Sequence, residues 1–205
     1  MIDFNERARD WDSDPAKVER ARLVAGAMHS QVTFTPQMSA LEYGCGTGLL
    51  SFALQDSLGQ ICLADSSPGM LAVLAQKISL GGLDNMTARL LDLVIDPLPQ
   101  ERYDLIYSLM TLHHVADTDV ILQRFHALLK QNGVVCIADL DQEDGSFHGA
   151  DFEGHKGFNR QALQQALQKT GFQNIRFQTV TRVTRQVDGQ PKDFPVFLCC
   201  ADKVG

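Results

Sequence analysis

The chain has 205 residues, 44% of them hydrophobic and 21% charged, with a formal net charge of −7 at pH 7. That length supports one domain with a real core. No run approaches the ~20 apolar residues of a membrane span, and the acidic balance disfavours a nucleic-acid phosphate backbone as partner. No repeat, low-complexity tract or composition shift marks a second domain, so residues 1–205 read as one unit. The opening Met1-Ile2-Asp3-Phe4-Asn5-Glu6-Arg7 is polar and acidic, unlike a secretory signal. Five cysteines (Cys45, Cys62, Cys136, Cys199 and Cys200) include no C-x-x-C pair and read as reduced, mostly buried thiols, which points to the cytoplasm.

In chain order, Asp14 and Pro15 open a helix over Lys17 to His29, with Asp14 as cap. A first strand spans Met38 to Tyr43, and a helix follows from Leu49 to Ser57, ended by Gly59. Gln60 to Ala64 is a second strand closing on Asp65. Pro68 starts a helix that Gly81-Gly82 terminates. Thr87 to Leu91 and Tyr103 to Leu109 are further strands. Thr118 to Lys130 shows helical apolar spacing, and Gly133 to Ala138 is apolar throughout, as a buried parallel strand is. Asn159 caps a helix that ends at Gly171. Phe172 to Val183 and Phe194 to Ala201 flank an Asp188-Gly189 turn and read as a hairpin. Strands and helices in alternation give a parallel sheet with helices on both faces.

The richest segment is Leu41-Glu42-Tyr43-Gly44-Cys45-Gly46-Thr47-Gly48, between the first strand and its helix. Glycine takes positive φ and leaves the backbone uncovered, and the helix N-terminus presents unpaired N–H groups. The segment therefore reads as a cofactor cradle. Its G-x-G-x-G spacing differs from the G-x-G-x-x-G of nicotinamide and flavin sites, and no Gly-Lys-Ser/Thr ending marks a P-loop. Glu42 would repel a pyrophosphate and suit a ligand that carries an ammonium and a sulfonium. Ligands of such sheets lie beyond the carboxyl ends of the strands. That singles out Asp65, whose carboxylate can accept two hydrogen bonds from a ribose diol, then Asp92, the stretch Ser108 to Val115, and the acidic loop Asp139 to Gly149 with His148 and His155 nearby. The carboxylates of this loop suit a cationic acceptor or a metal, or else a solvated loop. The His148/His155 spacing is no recognised ligand pattern, and no metal site is assigned.

The acidic-x-G-x-G-x-G pattern resembles motif I of the class I S-adenosylmethionine (SAM)-dependent methyltransferases, of the small-molecule type. Asp65-Ser66-Ser67-Pro68-Gly69-Met70-Leu71 resembles that family's D-x-S-x-x-M-L variant, and Leu112-His113-His114-Val115 is similar to its motif after the fourth strand. The resemblance covers about residues 38 to 202. It implies an α/β, Rossmann-like, seven-stranded, mostly parallel sheet with helices on both faces and an antiparallel last strand. Residues 1–35 would form a helical lid within the domain. SAM is the implied cofactor and S-adenosylhomocysteine the product. The implied cofactor residues are Glu42, Tyr43, Gly44, Cys45 and Gly46 in the cradle, Asp65 and Ser66 at the ribose, and Met70 over the adenine. Leu91, Asp92 and Leu93 would lie around the adenine ring, the carbonyl near Ser108 would face the ammonium, and Trp11 would close the lid. His113 and His114 fall where the methyl group would point and are the candidates for a general base. No Asn/Asp-Pro-Pro-Tyr/Phe sequence is present, which disfavours transfer to DNA adenine. A small-molecule acceptor is expected, its identity and the oligomeric state left open. The alternatives are a non-catalytic SAM-binding protein, a protein or RNA methyltransferase, and a nicotinamide-dependent reductase.

Overall fold

A computed structural model describes residues 4–149 and 151–205; Met1 to Asp3, the start of the expected lid, lie outside the described residues. The sheet is seven-stranded, in the order β3-β2-β1-β4-β5-β7-β6. Strands β1 (Ala40–Tyr43), β2 (Ile61–Asp65), β3 (Met86–Leu90), β4 (Tyr103–Leu109) and β5 (Leu129–Leu140) pair in parallel. The hairpin of β6 (Phe172–Val187) and β7 (Gln190–Lys203) places β7 between β5 and β6, antiparallel to both. Its two turn residues, Asp188 and Gly189, have φ of 50° and 75°, the paired positive values of a type I′ hairpin.

Side chains alternate through this sheet into two apolar layers. Leu41, Ile106, Val135, Ile137 and Cys199 share one cluster with residues of α5 (Thr118–Leu128) and α6 (Arg160–Thr170). Ala40, Leu105, Tyr107, Cys136, Leu198 and Cys200 share the other with residues of α2 (Pro15–Gln31), α3 (Leu49–Leu54) and α4 (Pro68–Gly81). Both faces of the central strands are thus covered, which is why their sequences read as unbroken apolar runs. The helices begin where side chains satisfy their free N–H groups. Asp14 Oδ1 accepts from Ala16 N at 2.9 Å, Ser67 Oγ from Met70 N at 3.2 Å, and Asn159 Oδ1 from Ala162 N at 3.0 Å.

Several boundaries differ from the sequence reading: the hairpin strands run on to Val187 and start from Gln190, closing up to the turn beyond the expected Val183 and Phe194, and the end of α5 moves. The helix expected to reach Lys130 stops at Leu128, and β5 starts at Leu129 instead of Gly133. Leu129 is extended and pairs with Tyr103, and the register then shifts before Leu105 meets Val134. Asn132, at φ 62°, lies within that irregular stretch. Strand pairing has overridden the helical periodicity of the last residues. The segment before the sheet is helical, as α1 (Phe4–Arg7), a 3₁₀ stretch at Ala8–Ser13, and α2.

Candidate active site

The strand order reverses between β1 and β4, and a cavity of about 790 Å³ opens at the carboxyl ends of these strands. It is lined by the glycine turn, by Asp65, Ser66, Met70 and Asp92, by Met110 to His114 after β4 (Leu112 excepted), and by Phe147 and His148 from the loop after β5. Such a volume suits a cofactor-sized ligand.

The three glycines of the turn do different work. Gly46 has φ 54°, and a Cβ built on it would stand in the open between Met70 Sδ and Trp11 Nε1, each 3.9 Å away. A Cβ on Gly44 would instead strike the Thr111 side chain at 2.1 Å, and one on Gly48 would strike Leu74 Cδ1 at 2.7 Å. Thus Gly46 keeps the cavity clear, whereas Gly44 and Gly48 admit neighbouring protein. The sequence reading used the bare main chain of all three to make room for the ligand; Gly44 and Gly46 line the cavity, while Gly48 lies against Leu74 and Leu63. Thr111 Oγ1 also bonds to Gly44 O at 3.1 Å, tying the turn to the end of β4.

Asp65 holds the turn from the other side. Its Oδ2 accepts from Gly46 N at 2.7 Å and its Oδ1 from Ser67 N at 2.8 Å. Glu42, 2% exposed, accepts a short hydrogen bond from Ser51 Oγ, which in turn lies 2.6 Å from Tyr107 OH. Burial raises the Glu42 pKa to about 8, against the opposing pull of the Ser51 hydrogen bonds. Tyr43 packs edge-on against Phe125 and also lines the cavity, as does Cys45. The structure does not bring Leu91, Leu93 or Ser108 to the cavity wall. Leu91 and Leu93 are in the core cluster beneath α5, and Ser108 is 1% exposed within β4. Asp92 does line the cavity, with its Oδ1 accepting from Val94 N at 2.8 Å.

The N-terminal segment covers the opening with Phe4, Arg7, Trp11, Asp14, Lys17 and Arg20. Asn5 Oδ1 accepts from Ser67 Oγ and Gly69 N, both at 2.8 Å. Asp12 accepts a short hydrogen bond from Thr47 Oγ1 and a 2.6 Å ion pair from Lys77, which also donates to Thr47 O at 2.8 Å. These contacts seat Trp11 beside Gly46. Lys17 Nζ sits 4.0 Å from the Trp11 ring centroid. Among the described residues, none of Arg7, Arg20 and Arg185, all at the cavity, forms an ion pair. Burial, together with Arg185, pulls the Arg20 pKa down, while Asp14 opposes.

At the far end, His113 is 1% exposed and its Nδ1 lies 2.5 Å from Asp139 Oδ1. His114 and His148 pack against it, with ring centroids 4.1 and 5.1 Å away. Burial lowers the His114 pKa to about 3 and the His148 pKa to about 4, with the neighbouring His113 adding to both. The carboxylates of the acidic loop are spent internally, contrary to a cation-binding role. Asp139 holds His113, Asp141 pairs with Arg160 at 2.6 Å, Glu143 accepts from Gly145 N at 2.7 Å, and Asp144 pairs with Lys192 at 2.6 Å. His155 is structural, with Nε2 2.9 Å from Val115 O. The loop's offering to the cavity is Phe147 and His148.

A model of the methyltransferase domain matches residues 16–176. The chain is 31% identical over 119 residues to an uncharacterized methyltransferase of Schizosaccharomyces pombe, covering 55% of this chain and 42% of that protein. It is 30% identical over 110 residues to a ubiquinone biosynthesis O-methyltransferase of Bradyrhizobium diazoefficiens, covering 54% and 43%. The chain thus spans less than half the length of these two relatives. In fold it is similar to a chain from the complex of the Haloferax volcanii Trm112 methyltransferase activator with a methyltransferase, at a TM-score of 0.79 and 15% identity, covering 100% of this chain and 99% of that one.

Proposed function

The chain belongs to the methyltransferase-domain family, within the class I SAM-dependent methyltransferases, and on that premise we propose that it transfers a methyl group from SAM to a small acceptor bearing an anionic group. The observation that carries this reading is Gly46, bare between Met70 and Trp11 at the mouth of a cavity that ends in three histidines. The residues fit the cofactor. A nucleoside would lie over Gly46 with Met70 and Trp11 flanking it, Asp65 and Ser66 would take the sugar hydroxyls, and Asp92 the adenine. Glu42 and the main chain of Tyr43, Gly44 and Cys45 would meet the amino-acid end.

The cofactor supplies a methyl on a positive sulfur, and the chain's work is to seat the acceptor in line with it. Holding the reacting atoms near ~3–3.5 Å supplies roughly 7–11 kcal/mol of barrier reduction. His113 and His114 stand where the acceptor would lie. An acceptor hydroxyl or amine that enters protonated would lose its proton at this histidine end of the cavity, a step worth roughly 10²–10⁴-fold. Arg7, Arg20 and Arg185, without ion pairs among the described residues, favour an anionic acceptor over the cationic one that the acidic loop suggested. Five free cysteines support a reducing, cytoplasmic setting, and no helix among the described residues is long and apolar enough to cross a membrane. Calorimetric titration with S-adenosylhomocysteine tests the reading. Binding is expected, with Asp65→Ala weakening it by roughly 1.5–3 kcal/mol; no binding by the wild-type chain would sink it. Labelled SAM with a panel of carboxylates, phosphates and amines then identifies the acceptor class.

A further inference from the structure

Three imidazoles converge at the inner end of the cavity, His113 and His114 from the turn after β4 and His148 from the loop after β5. One ring nitrogen of each lies within 4.8 Å of the other two. His113 Nδ1 is committed to Asp139, which leaves Nε2 for any other partner; although buried, this Nε2 has none, and neither has the buried Nε2 of His148. A buried nitrogen without a partner is costly. A proton acceptor would account for one such atom, whereas a shared ligand accounts for both and for the third ring beside them. The Asp139–His113 pair is also the arrangement found behind metal-bound imidazoles, where a carboxylate fixes the tautomer and raises the basicity of the ligand nitrogen. Three imidazoles open to a cavity on one side form a three-ligand set with a vacant position, and imidazole suits zinc, iron, nickel and copper. Nitrogens about a zinc ion lie roughly 3.4 Å apart given bonds of ~2.0–2.1 Å, so binding would draw the three rings closer together. Phe152 stacks on His148 with centroids 4.0 Å apart and fixes its plane.

We propose that His113, His114 and His148 bind a divalent transition-metal ion, with Asp139 as the positioning residue behind His113, and that the vacant position receives a donor atom of the methyl acceptor. The acceptor's part rests on the proposed methyl transfer; the metal site itself does not. Chelator-treated protein titrated with Co²⁺ is expected to develop visible d–d absorption that saturates at one ion per chain. His148→Ala and His114→Ala should each weaken Co²⁺ binding at least 100-fold, and Asp139→Asn by roughly 10–100-fold. Far-UV circular dichroism and the melting curve of His148→Ala, expected to keep the wild-type spectrum and a cooperative transition, report that the fold is intact. If the chain binds S-adenosylhomocysteine without saturable Co²⁺ absorption, or if His148→Ala keeps wild-type Co²⁺ affinity, the metal site is overturned and the methyl-transfer reading stands. Saturable, His148-dependent Co²⁺ binding in a chain that ignores S-adenosylhomocysteine supports the metal site and removes the other reading.

Discussion

At the residue scale, the glycine turn separates two effects that a sequence motif merges. Gly46→Val places a branched side chain in the open part of the cavity, so it should abolish S-adenosylhomocysteine binding while costing only about 1–2 kcal/mol of stability for the positive φ. Gly48→Ala adds to the same positive-φ cost, at φ 84°, a methyl driven into Leu74 and Leu63, so roughly 2–5 kcal/mol of stability should be lost, with cofactor affinity following only through the weakened fold. Chemical denaturation alongside calorimetry distinguishes the two, and equal behaviour would refute the division. Glu42 adds a pH signature. Its folded pKa, about 8, lies above the ordinary carboxyl value of 4.5, so the folded state keeps a proton that the unfolded chain gives up. Its contribution to stability is complete below pH 4.5 and declines as pH rises toward 8, by an amount on the order of a few kcal/mol. Glu42→Gln should flatten that decline in urea titrations across the window. A ligand ammonium seated beside Glu42 would favour the ionised form, so cofactor binding at pH 7 should release a proton. Calorimetry in buffers of different ionisation enthalpy would reveal it, and buffer-independent heats would place the ligand's charge elsewhere.

At the element scale, Asn5 and Asp12 tie the N-terminal segment over the cavity. Asp12 connects the 3₁₀ stretch to Thr47 of the turn and Lys77 of α4. Asp12→Ala should therefore free Trp11 from Gly46, weaken S-adenosylhomocysteine roughly 10–100-fold for two lost charge-assisted bonds, and expose the region around Ser13 to limited proteolysis. A wild-type cleavage pattern in this variant would show that the segment is secured otherwise. The sequence made the strands, the caps at Asp14 and Asn159, the glycine turn and Asp65 legible, because each is written in consecutive residues of a recognisable pattern. It did not reveal Asp12 with Lys77, His148 with His113, or the gathering of Arg7, Arg20 and Arg185. Those residues lie far apart along the chain and meet only once the sheet has assembled. The end of α5 was misplaced for a related reason, since the pairing of Leu129 with Tyr103 is a long-range contact that local periodicity cannot carry.

At the scale of the whole molecule, the cavity joins the N-terminal segment, both halves of the parallel sheet and the β6–β7 hairpin through Arg185. A ligand there binds the folded chain and not the unfolded one. S-adenosylhomocysteine at 100 times its Kd should add about 2.7 kcal/mol, raising Tm by roughly 5–10 °C for a domain of this size. A ligand-independent melting curve would place the cofactor outside this cavity. The position of β7 has a further consequence, for synthesis on the ribosome. Until residues 190–203 emerge, β5 presents its Val-Val-Cys-Ile-Ala run with an open backbone edge, because β6, although made earlier, docks only through β7. At roughly 5–20 residues per second, every nascent copy spends seconds with this apolar strand edge unsheltered, an interval in which holdase chaperones would find their target.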